Sequence, residues 1–165
     1  MKLIFGFGKT FRSELANIPW TNAFLPSKIL IVGVDDDGDV VAACGIRSVF
    51  NVLTLYVCEQ WRGRGMGNLI LEKAIDIAQE RRLGFILLGV FYDNVGAFRL
   101  YSKFGFKEVV YFKKSGLRVM MLPLDCIGEV AYVFLCGITS LLPNVFGTYA
   151  ARWVHNVTVR KNKDS

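Results

Sequence analysis

The residues of this chain best suited to chemistry are Arg62-Gly63-Arg64-Gly65-Met66-Gly67. They follow an apolar run at 52–57 and open an amphipathic segment at 68–82. A strand, a glycine-rich turn and a helix in that order build an anion site. Backbone N–H groups at a helix start have no partner within the helix, and the positive end of the helix dipole adds to their pull on a phosphate. Glycines let a ligand come close to the backbone, and arginines supply charge and donors matched to phosphate oxygens. No Gly-Lys-Ser/Thr closes the turn, which excludes a P-loop. The glycines do not follow Gly-x-Gly-x-x-Gly, and a hairpin precedes the strand, so a dinucleotide fold is also excluded. The pattern points to a pyrophosphate-bearing ligand of another kind.

A second block lies one helix and one strand further on: Asn94, Ala97 and Tyr101, followed by Gly105-Phe106. Together, Arg62, Gly65 and Gly67 (Arg-x-x-Gly-x-Gly) and this block (Asn-x-x-Ala-x-x-x-Tyr with a trailing Gly-Phe) resemble the signatures of the GNAT superfamily of N-acetyltransferases. The resemblance covers residues 29–124. It implies acetyl-CoA as acyl donor, no metal, and transfer of the acetyl group to a primary amine. It also implies that Leu55, Tyr56 and Val57 pair their backbone with the pantetheine arm, the Val57 N–H facing the thioester oxygen. Arg62, Gly63, Arg64, Gly65, Met66, Gly67 and Asn68 would hold the pyrophosphate, Asn94 would bond the CoA arm, and Tyr101 would protonate the departing thiolate.

No general base is assigned. Some family members carry a glutamate five residues before the asparagine, where this chain has Gly89. Glu59 would sit beside the pyrophosphate, where repulsion argues against it. The acceptor, small molecule or protein, cannot be read. Two alternatives stand beside the enzyme: a non-catalytic CoA-binding regulatory module, and a membrane-associated acetyltransferase.

The elements that would position these residues can be read from pattern. Apolar, β-branched runs at 28–34 and 40–46 flank Asp35-Asp36-Asp37-Gly38-Asp39, a hairpin signal. The glycine is misplaced for a calcium loop and no distal glutamate follows, so a solvated turn is expected. A third strand is expected at 49–57. Ile70, Ala74, Ile77 and Ala78 recur at helical spacing, Gly84 breaks that helix, and the continuous apolar run 85–91 suggests a buried central strand. Asn94 should cap a short helix at 95–103 that ends at Gly105, and 106–112 with 117–122 should form a final hairpin. The expected fold is α/β (α+β): a mixed, mostly antiparallel central sheet with one parallel crossover, flanked by helices. Its N-terminal part (residues 1–27, interrupted by Pro19 and Pro26) is short for the family.

Composition agrees. A chain of 165 residues, 53% hydrophobic and 21% charged, can bury one substantial core. A net charge of +6 suits an anionic ligand, and without a basic run interleaved with aromatics nucleic acid is not expected as a partner. Cys44, Cys58, Cys126 and Cys136 form no Cys-x-x-Cys pair and His155 stands alone, so no zinc site is grouped. The N-terminus lacks a secretory pattern, which makes the cytoplasm the expected compartment.

Residues 1–125 are read as the acetyltransferase domain and 126–165 as an apolar, helical extension with a basic tail. Between Glu129 and Arg152 lie 22 residues without a charge. Pro143-Asn144 splits them, and a single span would place the domain and the basic tail on opposite sides of a membrane. Two helices are expected instead, packed on the sheet or across a homodimer, with peripheral membrane contact as the lesser alternative.

Overall fold

A computed structural model describes residues 2–6, 27–47 and 50–141. The elements run β1 (Lys2–Gly6), β2 (Ser27–Val34), β3 (Val40–Arg47), β4 (Leu53–Val57), a 3₁₀ turn (Glu59–Trp61), α1 (Met66–Glu80), β5 (Phe85–Phe91), α2 (Val95–Lys103), β6 (Lys107–Phe112), β7 (Leu117–Pro123) and α3 (Cys126–Leu141). The chain divides into two compact units, Met1–Ile86 and Leu87–Ser165. Antiparallel sheets flanked by helices bear out the expected class.

The first unit holds a four-stranded sheet in the order β1-β2-β3-β4, antiparallel throughout. Its central strands carry the core: Ile29 to Val32 and Val41 to Ile46 are buried along their whole length. The expected hairpin between them forms. The Asp35 carboxylate accepts from the N–H groups of Asp37 (3.2 Å) and Asp39 (2.9 Å), and Gly38 takes a φ of 91°. That carboxylate is spent on the turn's own backbone, as an Asx turn requires. Helix α1 lays Met66, Ile70, Leu71, Ala74, Ile77 and Ala78 against this sheet, the one-sided burial of an amphipathic helix.

Two boundaries differ from expectation. The third strand starts at Leu53, because Phe50 (φ 57°) and Asn51 (φ 49°) are both left-handed, a conformation no strand accommodates. Asn51 Nδ2 donates to the Phe85 carbonyl at 3.0 Å; residues 48–49 lie outside the described residues. Helix α1 ends at Glu80, two residues before its expected limit and ahead of Gly84. Arg82 adopts φ 53°, its N–H bonds the Gln79 carbonyl (2.8 Å), and the Leu83 N–H bonds the Ala78 carbonyl (2.9 Å). That is a Schellman closure with arginine in the place usually held by glycine.

The second unit holds a three-stranded sheet in the order β5-β7-β6. The single central sheet expected from the sequence is therefore two sheets. The strand–helix–strand crossover β4–α1–β5 runs from the edge strand of one to an edge strand of the other. Strand β5 buries alternate residues, Ile86, Leu88 and Val90. It is an edge strand with one well-covered face, not a central one.

Helix α2 matches its expected limits. Asn94 Oδ1 accepts from the Ala97 N–H at 3.2 Å, and Gly105 closes the end at φ 87°. Helix α3 lies on the β6–β7 hairpin and begins with Asp125 Oδ1 accepting from the Gly128 N–H at 2.8 Å. It realises the first of the two expected C-terminal helices. The second, and residues 7–26 of the short N-terminal part, lie outside the described residues. Among those described, no helix is long and apolar enough to cross a membrane.

Candidate acyl-donor site

In the first unit the site residues sit on the open edge of β4 and the turn that follows. Cys58 N–H bonds the Val41 carbonyl (2.8 Å), and Arg47 N–H bonds the Val52 carbonyl (2.9 Å). With Ala42 opposite Val57 and Ala43 opposite Tyr56, the alternation of an antiparallel ladder follows. Val52, Thr54, Tyr56 and Cys58 turn their backbone toward β3. Leu53, Leu55 and Val57 turn theirs away, to the free edge of the sheet. The Val57 carbonyl accepts from Arg62 Nε at 3.1 Å, which agrees with that direction. Both the N–H and the carbonyl of Val57 and Leu55 thus face outward, where an extended ligand arm could pair with them.

Residues 62–65 then turn. Gly63 (φ 73°) and Gly65 (φ 81°) are left-handed, and a Cβ built at either would meet nothing within 4 Å. Gly65 caps α1 without a side-chain hydrogen bond. The first intrahelical bond runs from the Leu69 N–H to the Gly65 carbonyl (3.1 Å), so the N–H groups of Met66 and Gly67 precede the helical ladder. Arg64 stacks over the Trp61 ring at 5.5 Å. Arg62, expected only as a phosphate donor, also ties the turn to the end of β4, leaving its terminal Nη groups for an anion. Leu55, Tyr56, Val57 and Arg62 to Asn68 are therefore brought together on one continuous stretch.

Sequence reading missed two features here. Tyr56 and Cys58 share a strand face; burial first, then the contact with Cys58, pushes the Tyr56 hydroxyl above its ordinary pKa. The outward direction of Val57 depends on register, which composition does not report.

The second unit holds Asn94 and Tyr101, both on α2. The Asn94 oxygen is used by the cap, so its amide N–H groups are the donors left for a ligand. Tyr101 is 7% exposed, the buried residue of its helix. Its ring lies 5.7 Å from that of Phe106, tilted by 58°. The Phe106 N–H bonds the Tyr101 carbonyl (3.1 Å) and the Gly105 N–H bonds the Ser102 carbonyl (3.1 Å). Tyr101, Gly105 and Phe106 are thus three positions of one Schellman closure, complete with its usual apolar contact. Among the described residues no group of three or more His, Cys, Asp or Glu could hold a metal ion.

Comparison with known proteins identifies the family. The model of the acetyltransferase (GNAT) family matches residues 5–106, more than half of the chain. The chain belongs to the GNAT family of acetyltransferases, whose acyl donor is acetyl-CoA. The match begins earlier than the resemblance seen at 29–124 and stops before β6. An uncharacterized N-acetyltransferase of Methanocaldococcus jannaschii is 36% identical over 62 residues, which is 38% of this chain and 27% of that protein. A Bacillus subtilis protein described as a phosphinothricin acetyltransferase is 26% identical over 97 residues, 54% of this chain and 60% of that protein. The chain thus spans less than two thirds of either relative.

Solved structures share the fold. A GNAT acetyltransferase from Staphylococcus aureus superposes with a TM-score of 0.60 at 18% identity, covering 75% of this chain and 100% of that one. An acetyltransferase-type protein of Salmonella typhimurium, solved with its cofactor acetyl-CoA, gives 0.56 at 19% identity over 76% of this chain and 95% of that one.

Proposed function

We propose that this chain is an acetyl-CoA-dependent N-acetyltransferase that acetylates a primary amine. The observation that carries the reading is the outward-facing edge of β4 at Leu55 and Val57, leading directly into a helix whose Met66 and Gly67 N–H groups precede its ladder, behind a glycine cap with no side-chain bond. A strand edge of this kind suits the amide-rich pantetheine arm, and the helix start suits a pyrophosphate. The residues fit such a ligand: the Cβ positions of Gly63 and Gly65 face empty space.

Bound there, acetyl-CoA supplies an activated acyl carbon. The Val57 N–H donates to the thioester oxygen as negative charge gathers on it; donors of this kind typically lower a barrier by about 3 to 4 kcal/mol. The neutral amine of the acceptor attacks the carbonyl carbon, and the C–S bond breaks. The phenol of Tyr101 gives its proton to the leaving thiolate and is restored, through solvent, by the proton that the attacking nitrogen sheds on becoming an amide. Asn94 positions the CoA arm through its amide.

The test is release of free thiol from acetyl-CoA by the purified full chain against amines, polyamines and peptides. Turnover with an amine and formation of the acetyl-amide are expected. Tight acetyl-CoA binding with no turnover on any acceptor would favour a non-catalytic CoA-binding module instead.

A further inference from the structure

Helix α3 is apolar on the side away from its sheet. On the packed side Gly128 and Thr139 are buried, and Tyr132 Oη donates to the Glu108 carbonyl at 3.1 Å. The other side presents Val130 (70% exposed), Val133 (68%), Phe134 (65%) and Leu141 (80%), with Ile127 (70%) at its start. Positions 130, 134, 137 and 141 recur at four- and three-residue spacing, so they line one face, with Gly137 among the large side chains. A face of that kind marks a contact surface.

We propose that a second copy of this chain covers it, the two α3 helices packing antiparallel about a twofold axis. Three observations favour this occupant. First, the face is complementary to itself. An antiparallel pairing that sets Phe134 level with Gly137 of the second copy also sets Val130 level with Leu141 of that copy, and the twofold axis repeats both contacts. Phe134 is the largest side chain on the face, and Gly137 is the position on it without a side chain. A Cβ built at Gly137 meets nothing within 4 Å, so the ring from the other copy has room to enter there as a knob into a hole.

Second, the area suffices. The five exposed side chains at 127, 130, 133, 134 and 141 present about 600 Å² per copy, or about 1,200 Å² for the pair, which meets the lower bound of a specific interface. Third, the polar groups permit it. The one charged residue of α3 is Glu129, paired with Lys107 of β6 at 3.0 Å, so two antiparallel copies bring no like charges together on this face. The Ser140 hydroxyl at its border already donates to the Cys136 carbonyl at 2.8 Å, so covering it strands no donor. The same composition disfavours a lipid surface, where an amphipathic helix carries Lys and Arg beside its apolar face; α3 has neither.

The test is sedimentation equilibrium of the full chain over a micromolar concentration series. The wild type is expected to dimerise, and Phe134→Asp should weaken the dimer at least about thirtyfold, the scale of a central contact residue. A pair of substitutions then checks the register. Phe134→Gly empties the contact, and Gly137→Phe sets ring against ring, so each alone should weaken the dimer. The double variant Phe134→Gly with Gly137→Phe restores one ring opposite one glycine and should dimerise at least about tenfold more tightly than either single variant. Gly137→Phe adds its side chain to open space in the single chain, so its effect is read on a folded protein. A wild type that stays monomeric throughout the series would overturn the proposal, as would a dimer indifferent to Phe134→Asp or a double variant no tighter than the single ones. A monomer that instead co-sediments with anionic phospholipid vesicles, and loses this with Phe134→Asp, would overturn it in favour of a membrane surface.

Discussion

Gly65→Asp and Gly65→Asn form the most informative pair of substitutions at the glycine turn. Both side chains have nearly the same shape and meet the same open space, since no protein atom lies within 4 Å of a Cβ there. Both must adopt φ 81°, which costs a general side chain about 1 to 2 kcal/mol and asparagine or aspartate less. Backbone strain and bulk therefore cancel between the variants, and charge remains. A carboxylate about 5 Å from a phosphate repels it by about 0.8 kcal/mol in water and by about 3 kcal/mol at the effective dielectric of a protein surface. Acetyl-CoA should then bind the Asp variant roughly fourfold to more than a hundredfold more weakly than the Asn variant.

Calorimetry at two salt concentrations checks this, because the gap between exposed charges should shrink as salt rises. Thermal stability supplies an internal control of opposite sign. A carboxylate at the start of α1 interacts favourably with the helix dipole, so the Asp variant should melt at or slightly above the Asn variant while binding worse. Equal affinities for acetyl-CoA at low salt in two folded variants would refute a pyrophosphate site at this turn.

Tyr101→Phe keeps the ring contact with Phe106 and with it the closure of α2, so the melting temperature and acetyl-CoA affinity should hold while kcat falls roughly ten- to a thousandfold; wild-type turnover in that variant would make the tyrosine structural. Cys44 is fully buried, and burial raises its thiol from 9.0 to about 12. In the folded chain it should resist alkylation at pH 8 while exposed Cys126 reacts. Because the unfolded thiol loses its proton first, the stability linked to Cys44 is intact below pH 9.0 and is lost as pH rises from there toward 12. Denaturant titrations of the wild type and Cys44→Ala across that window should differ in slope.

What could be read from the sequence was whatever carries its own local mark. Helix α2 was legible at both ends because Asn94 and Gly105 each signal a terminus by their chemistry. The end of α1 was not: Arg82 performs the turn that glycine usually performs, and a left-handed arginine leaves no compositional trace. The start of β4 was obscured in the same way by Phe50 and Asn51. The run at 85–91 reads as a central strand because hydrophobicity reports burial, and burial does not say which neighbour a strand bonds. That distinction divided the expected single sheet into two. In the candidate site the glycines and arginines were plain, whereas the outward aim of Val57 follows from the parity of the β3–β4 register, where a shift of one residue would reverse it.

Register and helix closure also separate structural from chemical demands on the same residues. The spacing Tyr101, Gly105, Phe106 is accounted for by the Schellman closure alone: a carbonyl and ring at the first position, a left-handed glycine, and an apolar partner after it. None of this calls for the tyrosine hydroxyl, since phenylalanine would supply the same ring and carbonyl. At the start of α1 the converse holds. A serine or aspartate cap would bond one of the first N–H groups and add stability, yet the chain has Gly65, which makes no side-chain cap bond. The fold would accept a better cap at 65. The feature it does not explain, a helix start that keeps the Met66 and Gly67 N–H groups outside the helical ladder, is one that the pyrophosphate of a CoA thioester would use.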